Sequence, residues 1–489
     1  MDDAAFIDAV TAAFRARLVE ATRALRAART PREFCDAERE VHRLAEQYAA
    51  SLTQNALQAI SDDEERQSEA LSLVREKAAA RGVQVQTERR RKKTVVRTTG
   101  GTVVEVFTPY ARARPRSDDP LKTRGSQGTG VYPVLDQLGI VGRSTPAARL
   151  LVSRAVCEGN SVASARELLA TAGVRIDHKG ALRLTYLVGD DALRHRRAAM
   201  RSQAAADEGE LAGRRVVVAV DGGRLNIRRR VGGRPKKGGR KRFETEWREP
   251  KVLTIYALGD DGRRDKSIRP VLDATLGDAD AAFELMRFHL LRLGAHKAID
   301  VTLVADAAKW IWAERADGLR RDLGLPPERF HEIVDYFHAL ERLGDFAKSR
   351  EGWSEHMRRS WLRVQKQRLK AGDIEAIEEF FADTERLRNE DLSTEQAYWE
   401  RHRERLRFAD FRERGLPNGS GAVESAVRRV VNLRMKGASI VWTEENAEAL
   451  LHLRAQAKSG RWDELEDAVL ETTGWRPTCR QPKKKSRVA

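Results

Sequence analysis

The chain has 489 residues, of which 90 are Lys or Arg and 73 are Asp or Glu, giving a formal net charge of +17. This length allows roughly two to four domains, and the positive balance favours an anionic partner, most commonly nucleic acid, over an arginine-rich surface that serves solubility alone. Cys35, Cys157 and Cys479 are too few and too dispersed for a disulfide framework or a cysteine zinc site, which fits a cytoplasmic protein. No apolar run reaches the roughly 18 residues that span a bilayer, and the acidic start MDDAAFIDAV lacks a signal-peptide core, so no membrane partner is expected.

Residues 1–88 are predicted to be a helical N-terminal region. Apolar residues recur at helical spacing in AAFIDAVTAAFRARLVEATRAL, and a second helix is predicted to begin with Thr30 as its N-cap and Pro31 in its first turn. A helical bundle or dimerisation element is the favoured interpretation, and contact with DNA is the alternative.

Residues 89–130 are predicted to form a basic hairpin followed by a linker. Two β-branched segments flank Gly100 and Gly101, which is typical of a hairpin with a two-residue turn. The stretch from Thr108 to Gly130 is rich in Pro, Gly and Arg and is interpreted as a loop or linker.

Residues 131–210 are predicted to be a helical, helix-turn-helix-like DNA-binding region. One helix is expected over Ser161–Ala170 and a second over Asp177–Val188, with a short Gly-containing turn between them. This is the layout of helix-turn-helix DNA readers. An ordinary helical hairpin shares the same pattern, so both interpretations stand.

Residues 211–344 are predicted to form a mixed sheet with helices on its faces, an α/β (α+β) arrangement. RRVVVAVDGG, LNIRRRVGG, KVLTIYALGDDG and SIRPVLDATLG are the first four candidate strands. An amphipathic helix, a buried strand running to Asp306, a helix, and a strand passing into a further helix complete the pattern. Antiparallel strands followed by alternating helix and strand favour this fold class.

Three further segments complete the chain. Residues 345–412 are predicted to be a charged helical insertion, and residues 413–460 a Gly-Ser loop followed by closing helices. Residues 461–489 are interpreted as a basic C-terminal tail that ends in RQPKKKSRVA.

Acidic residues stand at the ends of two predicted strands. Asp221 ends VVVAVDGG, and Asp306 follows VTLVA. Glu424 stands at the start of a predicted helix after the Gly-Ser loop, and Asp335, which also ends a strand, is a rival third acid. Each has a plain alternative, because Asp-Gly favours turns, an aspartate caps helices, and a glutamate suits a helix N-terminus.

Carboxylates brought together at a sheet edge are suited to phosphodiester chemistry. Two Mg²⁺ ions about 4 Å apart activate the attacking oxygen and stabilise the leaving oxygen of an in-line displacement. Hard cations of this kind take carboxylate oxygens. The sequence therefore predicts a site for two Mg²⁺ ions, with Mn²⁺ able to substitute, on Asp221, Asp306 and Glu424.

Two groups of basic residues are predicted to bind DNA phosphates. The segment RRRVGGRPKKGGRKR has nine Lys or Arg and no acid, although a solvated hairpin tip is the alternative. The candidates are Arg228, Arg229, Arg230, Arg234, Lys236, Lys237, Arg240, Lys241 and Arg242, with Arg428, Arg429, Arg434 and Lys436 after Glu424. Trp442 is a candidate for stacking on an unpaired base, with core packing at least as well favoured.

The chain resembles the DDE transposases of bacterial insertion sequences over roughly 214–458. The resemblance is carried by VDGG, by ADAAKW, by DYFHALERL, and above all by GLPNGSGAVES with the basic helix and Trp442 that follow. It implies a ribonuclease H-like core over 211–344 and 413–460 in which Asp221, Asp306 and Glu424 are the catalytic, metal-binding triad. His338 is then a catalytic candidate that positions the scissile phosphate, and a packed helix histidine is the alternative.

The resemblance also implies an activity and its partners. A transposase binds double-stranded DNA at terminal inverted repeats, frees a 3′-hydroxyl by hydrolysis, and joins it to target DNA as a homo-oligomer. Such a protein works in the cytoplasm with the nucleoid. Some relatives carry a cysteine zinc ribbon after an N-terminal hairpin, but PYARARPRSDD has no cysteine here. The alternatives are a structure-specific DNA nuclease of the same fold and a transposase-derived, non-catalytic DNA-binding protein.

Overall fold

The computed structural model describes residues 3–88, 90–115, 129–202, 208–232, 242–312, 314–388, 391–437 and 439–477. The chain divides into two compact units, Met1–Ala192 with Glu466–Ala489 and Leu193–Leu465. Within these described ranges, no helix is both long enough and apolar enough to cross a membrane.

Helices dominate the first unit. Their bounds are α1 Asp3–Ala27, α2 Pro31–Asp62, α3 Glu64–Ala79, α4 Pro133–Gln137, α5 Pro146–Glu158, α6 Val162–Thr171 and α7 His178–Ser202, of which α7 continues into the second unit. The predicted start of α2 is confirmed, because the Thr30 hydroxyl accepts the Glu33 amide and the Glu33 carboxylate accepts the Thr30 amide. This reciprocal capping box satisfies two amides that lack partners within the helix.

The predicted hairpin of the first unit is confirmed, but its turn is longer than expected. Strands β2 (Lys92–Arg97) and β3 (Val103–Thr108) pair in register from Arg97 opposite Val103. Thr98 and Gly101 close the loop by a hydrogen bond of 3.0 Å, and Gly101 has a φ of 82°. The two-residue turn was therefore wrong, because one glycine adopts the left-handed conformation within a longer loop.

A second correction concerns the segment interpreted as a linker. Strand β4 (Ala111–Pro115) pairs with β1 (Val83–Thr87) and with β5 (Gly130–Val131), so its first residues belong to a three-stranded sheet. Residues 116–128 of the predicted linker lie outside the described residues.

The helix–turn–helix layout has the expected elements. Ser161 caps α6, and α7 begins at His178 after the turn that contains Gly173. Buried apolar residues of α5, α6 and α7 share one cluster that includes Val152, Leu169 and Leu184. The second helix is longer than predicted, since α7 continues to Ser202.

The second unit contains a five-stranded mixed sheet in the order β10-β9-β6-β11-β12, which confirms the predicted mixed sheet with helices. The strand bounds are β6 Arg215–Gly222, β9 Lys251–Leu258, β10 Val271–Thr275, β11 Asp300–Ala305 and β12 Phe330–Val334. β9 runs antiparallel to β6 and β10, whereas β6, β11 and β12 are parallel. These strands are almost continuously apolar because both faces are buried.

One pair of strands stands outside this sheet. β7 (Leu225–Arg230) pairs with β8 (Phe243–Arg248), a strand that the sequence pattern did not reveal, to form an antiparallel hairpin inserted between β6 and β9. The basic residues 233–241 lie outside the described residues.

The helices of the second unit include the predicted insertion. They are α8 Ala279–Arg292, α9 Glu314–Asp322, α10 Tyr336–Ser349, α11 Glu355–Ala371, α12 Ile374–Arg388, α13 Ser393–His402, α14 Phe408–Glu413, α15 Gly421–Val427, α16 Glu444–Ser459 and α17 Trp462–Thr472, the last continuing into the first unit. The insertion α11–α14 packs around fully buried aromatic side chains, Phe381 and Trp399 among them. The prediction of a basic tail from residue 461 was wrong in its first part, which forms α17, and residues 478–489 lie outside the described residues.

Candidate active site

Three aspartates stand at equivalent register positions, at the carboxyl ends of three neighbouring parallel strands. Ala305 of β11 lies level with Val220 of β6 and with Val334 of β12, and an aspartate immediately follows each of these residues. Adjacent strands are about 4.8 Å apart, so the backbones of these aspartates form one short row across the sheet edge. The row comprises Asp221, Asp306 and Asp335.

Asp221 shares an electrostatic environment with the other predicted site residues. Burial raises the pKa of its carboxyl to about 6, and the negative charges of Asp306 and Glu424 add to this effect. A hydrogen bond of 2.6 Å from the Gly222 amide and the proximity of His338 oppose it. The structure therefore brings Asp221, Asp306, Glu424 and His338 to one site.

Asp306 is not the N-cap of a helix, which was the plain alternative for this residue. Its Oδ1 accepts the amide of Ala308 at 3.0 Å, and its carbonyl accepts the Trp312 indole at 2.8 Å. The helix expected directly after Asp306 begins only at Glu314. Turns that run from Asp306 to Trp312 leave its carboxylate beside the cavity described below.

Asp335, His338 and Glu424 form a close group of possible metal ligands. One ligand atom from each of the three lies within 4.8 Å of the others. Asp335 is completely buried and caps α10, since its Oδ1 accepts the His338 amide at 2.9 Å. The rival acid from the sequence is thus part of the same site rather than an alternative to Glu424.

A serine links the buried aspartate to the predicted catalytic glutamate. The Ser420 amide donates to Asp335 Oδ2, and the Ser420 hydroxyl donates to Glu424 Oε1 at 3.1 Å. The preceding Gly419 packs closely against the same carboxylate, because a Cβ at that position would lie 3.1 Å from Asp335 Oδ2. The Gly-Ser-Gly motif therefore has a positioning role, through Ser420, that the sequence interpretation did not assign.

A cavity of about 660 Å³ opens beside Asp306 and His338. Its basic and hydroxyl-bearing lining comes from Lys309, Arg342, Ser393, Thr394, Tyr398 and Arg401, most of them from α13 of the insertion. Arg342 lies 4.1 Å from the centre of the Tyr398 ring and pairs with Glu395 at 2.8 Å. Burial raises the pKa of Tyr398, which keeps its hydroxyl neutral.

The predicted phosphate-binding residues differ in their accessibility. Arg228, Arg229, Arg230 and Arg242 are exposed on the β7–β8 hairpin, and Arg428 and Lys436 are exposed after α15. The remaining candidates of the first group, Arg234, Lys236, Lys237, Arg240 and Lys241, lie outside the described residues.

Two of the predicted phosphate ligands and the predicted stacking residue are engaged within the protein. Arg429 donates to the carbonyls of Ser425 and Lys458. Arg434 is 7% exposed, with its guanidinium 5.7 Å from the centre of the Trp442 ring. Trp442 is buried and donates to the Met435 carbonyl at 2.8 Å, so this aromatic packs in the core.

The donor set suits a divalent cation. Four carboxylates and one imidazole lie at this sheet edge, where burial, together with the charges of Asp306 and Glu424, raises the pKa of Asp221. Comparisons with protein-family models, with curated proteins and with solved structures gave no match.

Proposed function

We propose that this chain is a DDE-type DNA transposase that cleaves DNA and transfers the cut strand. One observation carries the proposal. Acids that are far apart in the sequence converge at the carboxyl edge of three parallel strands, where the charges of Asp306 and Glu424 both raise the pKa of Asp221. Bringing like charges together is costly to a fold, and shared metal binding is the role that fits carboxylates.

The strand order supports a ribonuclease H-like core. Three antiparallel strands, β6, β9 and β10, are extended on the other side of β6 by two parallel strands, β11 and β12. The helices α11–α14 are then inserted before α15, which supplies Glu424.

Asp221, Asp306 and Glu424 would hold the two Mg²⁺ ions, with Asp335 and His338 beside them. The bound cations supply Lewis acidity at the phosphodiester, and Mn²⁺ would serve the same purpose. Asp335 fixes the start of α10 and the Gly-Ser-Gly loop, and Ser420 orients Glu424. His338 would position the scissile phosphate. Lys309 and Arg401 line the adjoining cavity as cations for a DNA strand.

The proposed partners are double-stranded DNA, as terminal inverted repeats and as target, and further copies of the chain. The +17 net charge and the exposed arginines of the β7–β8 hairpin support a phosphate-rich partner.

A strand-transfer assay in Mg²⁺ tests the proposal, using the DNA that flanks the gene as donor. Wild type is expected to cut the ends and join them to a target plasmid, whereas Asp221→Asn, Asp306→Asn and Glu424→Gln each lose joining and cutting. Asp345→Asn is a matched control, because it makes the same change at an exposed acid that pairs with Lys348. Cutting without joining would indicate a nuclease, and binding alone would indicate a non-catalytic DNA-binding protein.

A further inference from the structure

The two faces of the β7–β8 hairpin have opposite chemistry. Residues opposite each other in an antiparallel pair project from the same face. The register pairs Arg230 with Phe243, Arg228 with Thr245, and Asn226 with Trp247. These six residues form what we call the arginine–aromatic face, which carries two cations, two aromatic rings and no acid.

The other face of the hairpin packs against the protein and carries the acids. Leu225 and Ile227 are buried there, at 0% and 3% exposure. Glu246 pairs with Arg229 at 3.7 Å and with Arg248 at 3.6 Å. Among the ion pairs of the described residues, none involves Arg228 or Arg230.

The arginine–aromatic face is turned to solvent. Phe243 is 50% exposed and Trp247 is 59% exposed, although burial of such rings is normally favourable. Trp247 is four residues along β8 from Phe243, which corresponds to about 13 Å. Exposed aromatic residues that alternate with unpaired cations are the composition of surfaces that bind nucleic acid strands, where the cations contact phosphates and the rings stack on bases.

The base of the hairpin adjoins the end of β6, which carries the catalytic Asp221. β7 begins three residues after Gly222 at the end of β6, and the Gly223 amide donates to the Pro250 carbonyl at 2.9 Å, which joins the two roots of the hairpin. Backbone bonds between Arg228 and Trp442, at 2.8 Å, and between Trp442 and Asn226, at 3.0 Å, anchor β7 to the segment before α16. The Asn226–Trp247 end of the face is therefore the end next to β6, and Asn226 is five residues from Asp221 along the chain.

We propose that the arginine–aromatic face binds DNA with unpaired bases next to the phosphodiester that is cut. This rests on the proposed function, because it specifies the form of DNA that the active site receives. In an intact duplex the faces of the bases are covered by their neighbours, so Phe243 and Trp247 can stack only where bases are unpaired. Arg228 and Arg230 contact the phosphates of either form of DNA.

The experiment compares the binding of two DNAs by the full chain, a short blunt duplex and the same duplex with an unpaired oligothymidine tail. Trp247→Ala and Phe243→Ala are expected to weaken binding of the tailed DNA about fivefold to tenfold and to change duplex binding less than about twofold. Trp247→Tyr keeps an aromatic ring and should restore the preference, which separates loss of stacking from loss of folding.

Arg229→Ala is the matched control for Arg228→Ala, because it removes the same charge from the other face of the same hairpin. Arg228→Ala should weaken binding of both DNAs more than Arg229→Ala does. Equal binding of the two DNAs by wild type, or an unchanged tail preference in Trp247→Ala and Phe243→Ala, would overturn the inference. So would a change confined to self-association, which would make the face a protein interface. Failure of wild type to bind either DNA would instead count against the proposed function itself.

Discussion

At the scale of single residues, the half-buried Asp221 and the buried Asp273 have pKa values shifted in opposite directions. Burial and neighbouring acids raise the pKa of Asp221 to about 6. Burial also opposes ionisation of Asp273, but Arg196, His452 and His289 outweigh it and hold the pKa of Asp273 well below its usual range. Asp273 thus stabilises the fold in its ionised form, whereas ionisation of Asp221 costs the fold stability.

The raised pKa of Asp221 predicts a pH-dependent gain in stability for Asp221→Asn. A protonated Asp221 favours the native state over the unfolded chain, because its pKa is higher in the native state. This stabilisation is fully present below pH 3.8, the ordinary pKa, and is lost as the pH rises through about 6. Asp221→Asn should therefore raise the free energy of unfolding at pH 8 by about 1 kcal/mol, after discounting for partial exposure, and change it little below pH 4. Thermal unfolding with a chelator at both pH values measures this, and equal stability at pH 8 would contradict it.

The bond from Ser420 to Glu424 predicts a loss of metal affinity. Ser420→Ala removes the hydroxyl that orients the carboxylate, so binding of Mn²⁺ should weaken about tenfold with little loss of folding. Calorimetric titration of Mn²⁺ into the full chain measures this, and Ser420→Thr should recover part of the affinity. Ser425→Ala is the control, since it removes an exposed hydroxyl one residue after Glu424. Equal Mn²⁺ affinity in wild type and Ser420→Ala would rule out the orienting role.

At the scale of elements, one carboxylate joins four of them. Asp273 of β10 accepts hydrogen bonds from Arg196 of α7 at 2.8 Å, from His289 of α8 at 2.9 Å and from His452 of α16 at 2.9 Å. Glu448 of α16 accepts a second bond from Arg196. This network fixes the helices on the sheet more specifically than apolar contact does.

Asp273→Asn is therefore expected to destabilise the second unit by about 3 kcal/mol or more, because it leaves a buried guanidinium without its counter-charge. Urea unfolding measures the loss. Asp280→Asn, which breaks an exposed pair with Arg315, should cost less than about 1 kcal/mol. A similar loss in both variants would show that burial of the Asp273 pair contributes little.

The elements that the sequence predicts well carry their signals locally. Thr30 and Pro31 predict the start of α2, and the apolar run before Asp221 predicts β6. β8 was missed because its sequence FETEWR is charged and exposed and becomes a strand only by pairing with β7. Ala111–Pro115 was missed for the same reason, since its partner β1 lies far back along the chain.

The part of the site that lies at the ends of strands was predictable from the sequence. Asp221 and Asp306 follow apolar strands, and the parallel register then places them side by side. The bond from Ser420 to Asp335 joins residues 85 apart and depends on how the insertion folds between them. No local pattern contains that information, which is why the role of Ser420 escaped the sequence interpretation.

At the scale of the whole molecule, the +17 charge predicts salt-sensitive binding to duplex DNA. Each phosphate that a cation neutralises adds about 0.9 to the steepness of log K against log salt. The double variant Arg228→Ala and Arg230→Ala should therefore lower this slope by about 2 relative to wild type. Fluorescence anisotropy over a salt series measures the slope. An unchanged slope would mean that these arginines do not contact phosphates.

The first unit is completed by residues that are translated long after the rest of it. Thr473 and Arg476 bind Asp191, at separations of 282 and 285 residues along the chain, and Arg149 donates to both Asp191 and Thr473. α5 and α7 are therefore synthesised before Thr473 and Arg476, and the entire second unit is synthesised in between. A chain that ends before Thr473 would lack the Thr473 hydroxyl and the Arg476 guanidinium that bind the buried Asp191 carboxylate.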